Sequence, residues 1–239
     1  MKIKLLGKNL NDIRPLLCEL GFVESETGFE LIITHGGDGA LLGAEREYPG
    51  VPKLPLRDAA TAAPCPEHSA RARLEKFLAE RPEPVKLPKL RGVCRAGEAS
   101  GINDVFLHGG LPTSALRYHV EIDGAPHGGE IVGDGVGLST VHGSTAYYRS
   151  ITHSIFRVGV GLAFSNSTES VDHMVLAPES VVGIRVSRGP AVLVADNTPV
   201  ALPVAEGELV TMRQTEDFAL VFDLAGFMCS DCRALRHHR

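Results

Sequence analysis

Phe29-Glu30-Leu31-Ile32-Ile33-Thr34-His35-Gly36-Gly37-Asp38-Gly39-Ala40-Leu41-Leu42 decides how the first part of this chain folds. The run from Phe29 to Thr34 is β-branched and aromatic and has the length of a buried strand. It stops at a pair of glycines, and a helix is expected from about Ala40. Glycines allow positive φ and let backbone N–H groups approach an anion with no Cβ in the way, while a following helix aims its positive end at the same point. The layout suits a phosphate. Asp38 needs a separate reason, because a carboxylate beside a phosphate repels it unless it holds a metal ion or orients a hydroxyl. A plain strand-to-helix turn capped by aspartate reads the same way locally, so this stretch alone leaves both open.

Upstream, residues 2–6 alternate weakly and read as a first strand, after which Asn9 or Asn11 offers a helix cap. Leu10, Ile13, Leu17 and Leu20 share one helical face, and Gly21 is placed to end that helix. Strand, helix, strand and glycine turn make an α/β opening, in which parallel strands put Asp38 at the carboxyl edge of the sheet, where such folds bind ligands. Downstream, residues 40–47 continue as a short helix. Residues 51–56, interrupted by Pro52 and Pro55, supply only an edge strand or a loop. Residues 59–66 read as a connector and 67–80 as a helix with Ala70, Leu74, Phe77 and Leu78 on its apolar face. Residues 81–90, with Pro82, Pro84 and Pro88, read as a linker.

Beyond residue 90 the pattern turns to short apolar-polar alternation: 93–95, 104–107, 116–122, 130–132, 135–139, 156–161, 181–187, 191–195, 209–213 and 218–222. Turns such as Ile122-Asp123-Gly124 separate them, and one helical window remains at 144–154. The expected architecture is an α/β, Rossmann-like N-terminal domain over 1–90, an all-β sandwich over 91–223 and a C-terminal tail over 224–239.

A length of 239 residues suffices for two small domains. A net charge of −5 gives no general attraction to nucleic acid or to an anionic membrane. The opening Met-Lys-Ile-Lys-Leu-Leu-Gly is short for a signal peptide, and no run reaches the ~20 apolar residues of a membrane span, so a cytoplasmic protein is expected. Five scattered cysteines suit a reducing compartment. Cys229 and Cys232 have metal-like spacing, and His237 and His238 complete a four-ligand zinc set on paper. Arg233, Arg236 and Arg239 crowd the same segment, so the expectation is a tail without a metal site.

Two further stretches add to the glycine turn: Ile102-Asn103-Asp104-Val105, and Gly133-Asp134-Gly135-Val136-Gly137-Leu138-Ser139-Thr140-Val141-His142-Gly143-Ser144-Thr145-Ala146-Tyr147. With these three blocks the sequence resembles the NAD kinase family (ATP/polyphosphate-NAD kinases), as a divergent and shortened member. The family's order is Gly-Gly-Asp-Gly, then Asn-Glu, then Gly-Asp-Gly followed by Ser-Thr-x-x-Gly-Ser-Thr-Ala-Tyr. The resemblance implies a kinase that transfers a phosphoryl group from ATP or polyphosphate, with Mg²⁺, to the 2′-hydroxyl of the adenosine ribose of NAD, giving NADP. It further implies Asp38 as the catalytic carboxylate and a homo-oligomer, dimer or tetramer. Gly36, Gly37 and Gly39 are expected to cradle phosphates; Asn103, Asp104, Asp134, Thr145, Ala146 and Tyr147 are implied to form the dinucleotide site. No nucleic-acid or membrane partner is expected.

The residues themselves are compatible with these roles. Asn donates and accepts while Asp only accepts, a pair suited to an adenine amino edge and a ribose diol, and a tyrosine ring can stack on a base. A polar turn at 103–104 and a core role for Tyr147 fit the sequence equally. Departures from the family are Ala40 for a Thr, Asp104 for a Glu, Val141-His142 for a Pro and a small polar residue, and Leu54-Pro55-Leu56-Arg57-Asp58 near the place of a Gly-Ile-Asn-x-Gly segment. They bear on the acceptor more than on the phosphotransfer class. Two alternatives stand beside the NAD kinase reading: a kinase of the diacylglycerol and lipid kinase superfamily, and a catalytically silent nucleotide-binding protein.

Overall fold

In a computed structural model, residues 1–60, 64–170 and 172–230 are described. The chain divides into two compact units, one formed by Met1–Leu87 together with the chain from Phe218 onward, the other by Pro88–Asp217. No helix among the described residues is long and apolar enough to cross a membrane.

The first unit is built on parallel strands. β1 (Lys2–Gly7) leads through α1 (Leu10–Glu19) to β2 (Val23–Glu24) and β3 (Leu31–His35), and α2 (Asp38–Glu47) leads to β4 (Lys53–Leu56). The order is β2-β1-β3-β4, all parallel, with Val221 from the end of the last strand beside Lys53. Every side chain of β3 is buried, which explains its uninterrupted apolar run. Ile3, Leu5, Ile13, Leu17, Ile33 and Leu54 belong to one core, into which α3 (Ala70–Glu80), entered through a single 3₁₀ turn at Pro66–His68, sets Leu74 and Phe77. Asn9 adopts the left-handed conformation before α1 and makes no cap bond; its amide donates instead to Asp58 at 2.8 Å.

β4 corrects the expectation of an edge strand or loop. It lies between β3 and the returning chain and is fully buried. Pro55 is tolerated because Val221 pairs only at the start of β4, while the proline carbonyl accepts from the buried guanidinium of Arg73 at 2.6 Å. Buried Lys53 is neutralised by Glu45 and donates to the Tyr48 carbonyl.

The second unit is antiparallel. Its strands are β5 (Val85–Cys94), β6 (Gly97–Gly101), β7 (Asp104–Gly109), β8 (Leu116–Ile122), β9 (Ala125–Gly133), β10 (Gly135–Ser139), β11 (Val160–Ser165), β12 (His173–Leu176), β13 (Val181–Arg188), β14 (Ala191–Ala195), β15 (Leu202–Val204) and β16 (Leu209–Val221). One run orders β16-β13-β8-β9, with the β5-β6 hairpin beside it, and a separate six-stranded sheet orders β12-β11-β10-β7-β14-β15. Tyr118, Val120, Ile184 and Met212 from the first share a core with Leu107, Leu138, Leu162 and Leu193 from the second. The molecule is thus mixed α/β, with a parallel part and a separate antiparallel sheet.

Where sequence and structure differ, the causes are local. The proline-rich stretch read as a linker already enters β5 at Val85, since extended strand accommodates the φ of proline at its start. The strand expected at 156–161 begins at Val160, because residues 154–159 are irregular around Gly159 at positive φ. Runs 209–213 and 218–222 belong to one long strand. Residues 224–230 contain α5 (Leu224–Phe227), whose Phe227 is buried. Cys232, His237 and His238 lie outside the described residues.

Candidate nucleotide site

Each unit carries its own group of candidate residues. In the first, β3 ends at His35, the chain turns through Gly36 and Gly37, and α2 begins at Asp38, two residues before the expected start. Gly36 adopts φ 151°, and the Gly36 amide donates to the Leu56 carbonyl at 2.9 Å, tying the turn to the end of β4. Asp38 therefore sits in the first turn of α2, where the helix dipole favours a negative charge and amide groups lack intrahelical acceptors. Its side chain is half exposed, at 52%. Gly37 and Gly39 flank it.

Arg57, two residues past Pro55, answers Asp38. Its guanidinium lies 3.3 Å from Asp38 Oδ1, donates to the Phe227 carbonyl at 3.0 and 3.3 Å, and sits 3.8 Å over the Phe227 ring. The side chain is almost fully buried, so a fixed positive charge stands next to a half-exposed carboxylate. Arg73 holds the same segment through Asp223, with Nε donating at 2.6 Å. The sequence singled out the segment around Arg57 only for lacking the expected Asn-Gly pattern; an arginine immediately after a strand that borders the glycine turn was the available signal.

In the second unit the two remaining blocks meet. Asn103 immediately precedes β7, and Asp104 opens it. The Asn103 carbonyl accepts from the Thr140 amide at 2.8 Å and from the Ser139 hydroxyl at 3.1 Å, while the Thr140 hydroxyl donates to the Ile102 carbonyl at 2.6 Å. Gly143 lies so close that a Cβ there would stand 2.0 Å from the Asn103 carbonyl oxygen, which accounts for glycine at that position. Asp196, in the turn after β14, accepts the backbone N–H groups of Ile102, Asn103 and Asp104 at 2.8, 2.8 and 3.1 Å. Nothing in the sequence marked Asp196, since an Asp-Asn pair after a strand is ordinary turn chemistry.

Asn103 and Asp104 are each only 8% exposed. Burial, and then the nearby Asp196 carboxylate, push the Asp104 carboxyl up to about 7. Burial raises Asp196 as well, against the lowering effect of its three amide donors. The side-chain oxygen of Asn103 is buried and has no hydrogen-bond partner among the described residues. An unfilled buried acceptor is rare in folded proteins and is expected where a ligand supplies the donor.

Thr145 closes a 3₁₀ turn (Gly143–Thr145), Ala146 links it to α4 (Tyr147–Thr152), and Tyr147 opens that helix. The Tyr147 ring is 38% exposed; it stands edge-on to Phe106 with centroids 4.9 Å apart and tilted to His108 at 5.6 Å. Its neighbour Tyr148 takes the core position, fully buried against Phe156. A cleft of about 480 Å³ opens beside Tyr147, lined also by Ser150, His153, Asn166, Glu169 and Asp172. Asp134 is exposed between β9 and β10 and accepts from the Asn166 amide at 2.8 Å. Burial lowers the pKa of His108, and the Asp134 charge opposes that shift.

The same fold is found in two solved kinase structures. An NAD kinase from Archaeoglobus fulgidus in complex with ATP matches with a TM-score of 0.76 at 19% identity, covering 98% of this chain and 99% of that one. Yeast NADH kinase complexed with NADH matches with a TM-score of 0.71 at 15% identity, covering 92% of this chain and 82% of that one. A scan against protein-family models finds no match, and no curated protein matches the sequence. At these identities the likeness establishes the fold, and it agrees with the resemblance carried by the three sequence blocks.

Proposed function

We propose that this chain is an NAD(H) kinase, transferring a phosphoryl group from ATP or polyphosphate to the 2′-hydroxyl of the adenosine ribose. The observation that carries the reading is the buried, unpartnered Oδ1 of Asn103, held beside the Gly143–Tyr147 segment by the Asp196 and Thr140 contacts. An adenine amino group supplies the missing donor, the half-exposed Tyr147 ring offers a face for a base, and Asp104 accepts from a ribose hydroxyl.

In the first unit, Asp38 accepts the hydrogen bond of the attacking hydroxyl and orients it, and the amides at the start of α2 face the phosphates. Phosphoryl transfer asks a protein chiefly for placement and charge neutralisation, so a carboxylate that orients the hydroxyl suffices. The Arg57 guanidinium, 3.3 Å away, directs the Asp38 carboxylate. One half-exposed carboxylate beside a phosphate cradle fits Mg²⁺, which binds through one or two carboxylates plus substrate phosphates; Asp38 is the residue that would hold it, and the ion supplies neutralisation of phosphate charge.

The test is to incubate the purified protein with ATP, Mg²⁺ and NAD or NADH and to quantify NADP(H) by anion-exchange chromatography. Product that vanishes in Asp38→Ala supports the reading. Labelling of diacylglycerol without NADP(H), or NAD binding without turnover by any donor including polyphosphate, overturns it in favour of the lipid kinase or the silent binder.

A further inference from the structure

The first unit holds a second constellation that the phosphotransfer reading does not use. Cys65, His68 and Cys229 bring their ligand atoms within 4.8 Å of one another, all three residues partly buried. Cys65 Sγ and His68 Nδ1 are 2.9 Å apart. The local cause is the 3₁₀ turn at Pro66–His68, closed by the His68 amide on the Cys65 carbonyl at 2.9 Å, because side chains three apart eclipse in a 3₁₀ helix. Cys229 arrives from the opposite end of the sequence, two residues after α5.

We propose that Cys65, His68 and Cys229 bind a Zn²⁺ ion. Cys65-x-x-His68 is a ligand pair with the two-residue spacer common in tetrahedral zinc sites. Zinc–sulfur and zinc–nitrogen bonds of about 2.3 and 2.0 Å put tetrahedral ligand atoms roughly 3.5–3.8 Å apart, within reach of this cluster by small side-chain rotations. A disulfide is not the explanation, as Cys65 and Cys229 are both thiols. Two sulfurs and one imidazole make a soft donor set that selects zinc over Mg²⁺ or Ca²⁺. The ion would pin the entry turn of α3 to the segment that follows Phe227. Since the Phe227 carbonyl and ring hold Arg57, the metal would brace the support of Asp38 from behind.

The experiment uses the full chain purified without a histidine tag, with zinc counted by inductively coupled plasma mass spectrometry and Co²⁺ titrated into the zinc-free protein. About one zinc per chain and a near-ultraviolet thiolate-to-Co²⁺ band are expected. Cys65→Ser and Cys229→Ser should each weaken the metal by more than about tenfold, the lower limit seen even for partners outside the coordination shell, while Cys18→Ser leaves it unchanged. Where a variant fails to fold, the Co²⁺ band of the wild-type chain still decides. A wild-type chain that takes up neither ion, a Cys65–Cys229 disulfide in freshly purified protein, or serine variants with undiminished metal overturns the proposal.

Discussion

Asp196 accepts the backbone N–H of Asn103 at 2.8 Å, and the same carboxylate takes the amides on either side, Ile102 and Asp104. Three amides converging on one buried anion hold the backbone of this segment, and with it the Asn103 side chain whose oxygen lacks a partner. The electrostatic expense of burying Asp196 is thus tied to the geometry of the candidate base-binding residue.

Asp196→Ala leaves three buried amides without their acceptor. A loss of about 2–4 kcal/mol in urea unfolding is expected, together with weaker NAD binding by calorimetry. An unchanged midpoint would show that the segment holds itself.

Asp104 gives a pH signature. Its folded pKa of about 7 stands above the ordinary carboxylate value near 3.9, so between about pH 4 and 7 the native state binds more protons than the unfolded chain. Its contribution to stability therefore falls as pH rises through that window. Asp196, also raised, acts in the same direction, and His108, lowered by burial, acts in the opposite one below about pH 6.5. Asp104→Asn should remove its share of the slope, gaining up to about 4 kcal/mol relative to wild type between pH 4 and pH 8, read from ligand-free urea curves at both pH values.

Asp38 and Arg57 separate chemistry from stability. Asp38 is half exposed and its contact with Arg57 is 3.3 Å, so Asp38→Asn should change stability by less than about 1 kcal/mol while lowering turnover by about 10²-fold or more. Arg57→Lys keeps a charge but loses the planar group that stacks on Phe227 and donates twice to its carbonyl; a fall of about 1–3 kcal/mol in stability is expected, checked by thermal and urea unfolding.

Tyr147 and Tyr148 are adjacent and opposite in role. Tyr147→Ala should raise the dissociation constant for NAD by roughly 5- to 150-fold, the range of about 1–3 kcal/mol for a stacked base, with Tyr147→Phe close to wild type. Tyr148→Ala should cost about 3–5 kcal/mol of stability instead, because its ring is fully buried beside Phe156. Circular dichroism melts alongside binding isotherms distinguish the two.

The parts readable from residues alone are those set by short-range rules. The apolar run into Gly36-Gly37 specifies a buried strand and a turn, the spacing of Leu10, Ile13 and Leu17 specifies α1, and alternation marked β8, β10 and β14 at their observed limits. Periodicity and φ preference act within a few residues, so they are written locally. The same rules misplaced β4, because whether a proline-bearing strand lies at an edge depends on which carbonyls and amides stand beside it, here Arg73 and Val221. Arg57 against Asp38, Asp196 under Asn103, and Cys229 beside Cys65 join positions 19, 93 and over 160 residues apart in the chain. Such pairings carry no periodic trace; they exist only once the sheets bring distant turns together and exclude the water that would otherwise compete for every one of those polar groups.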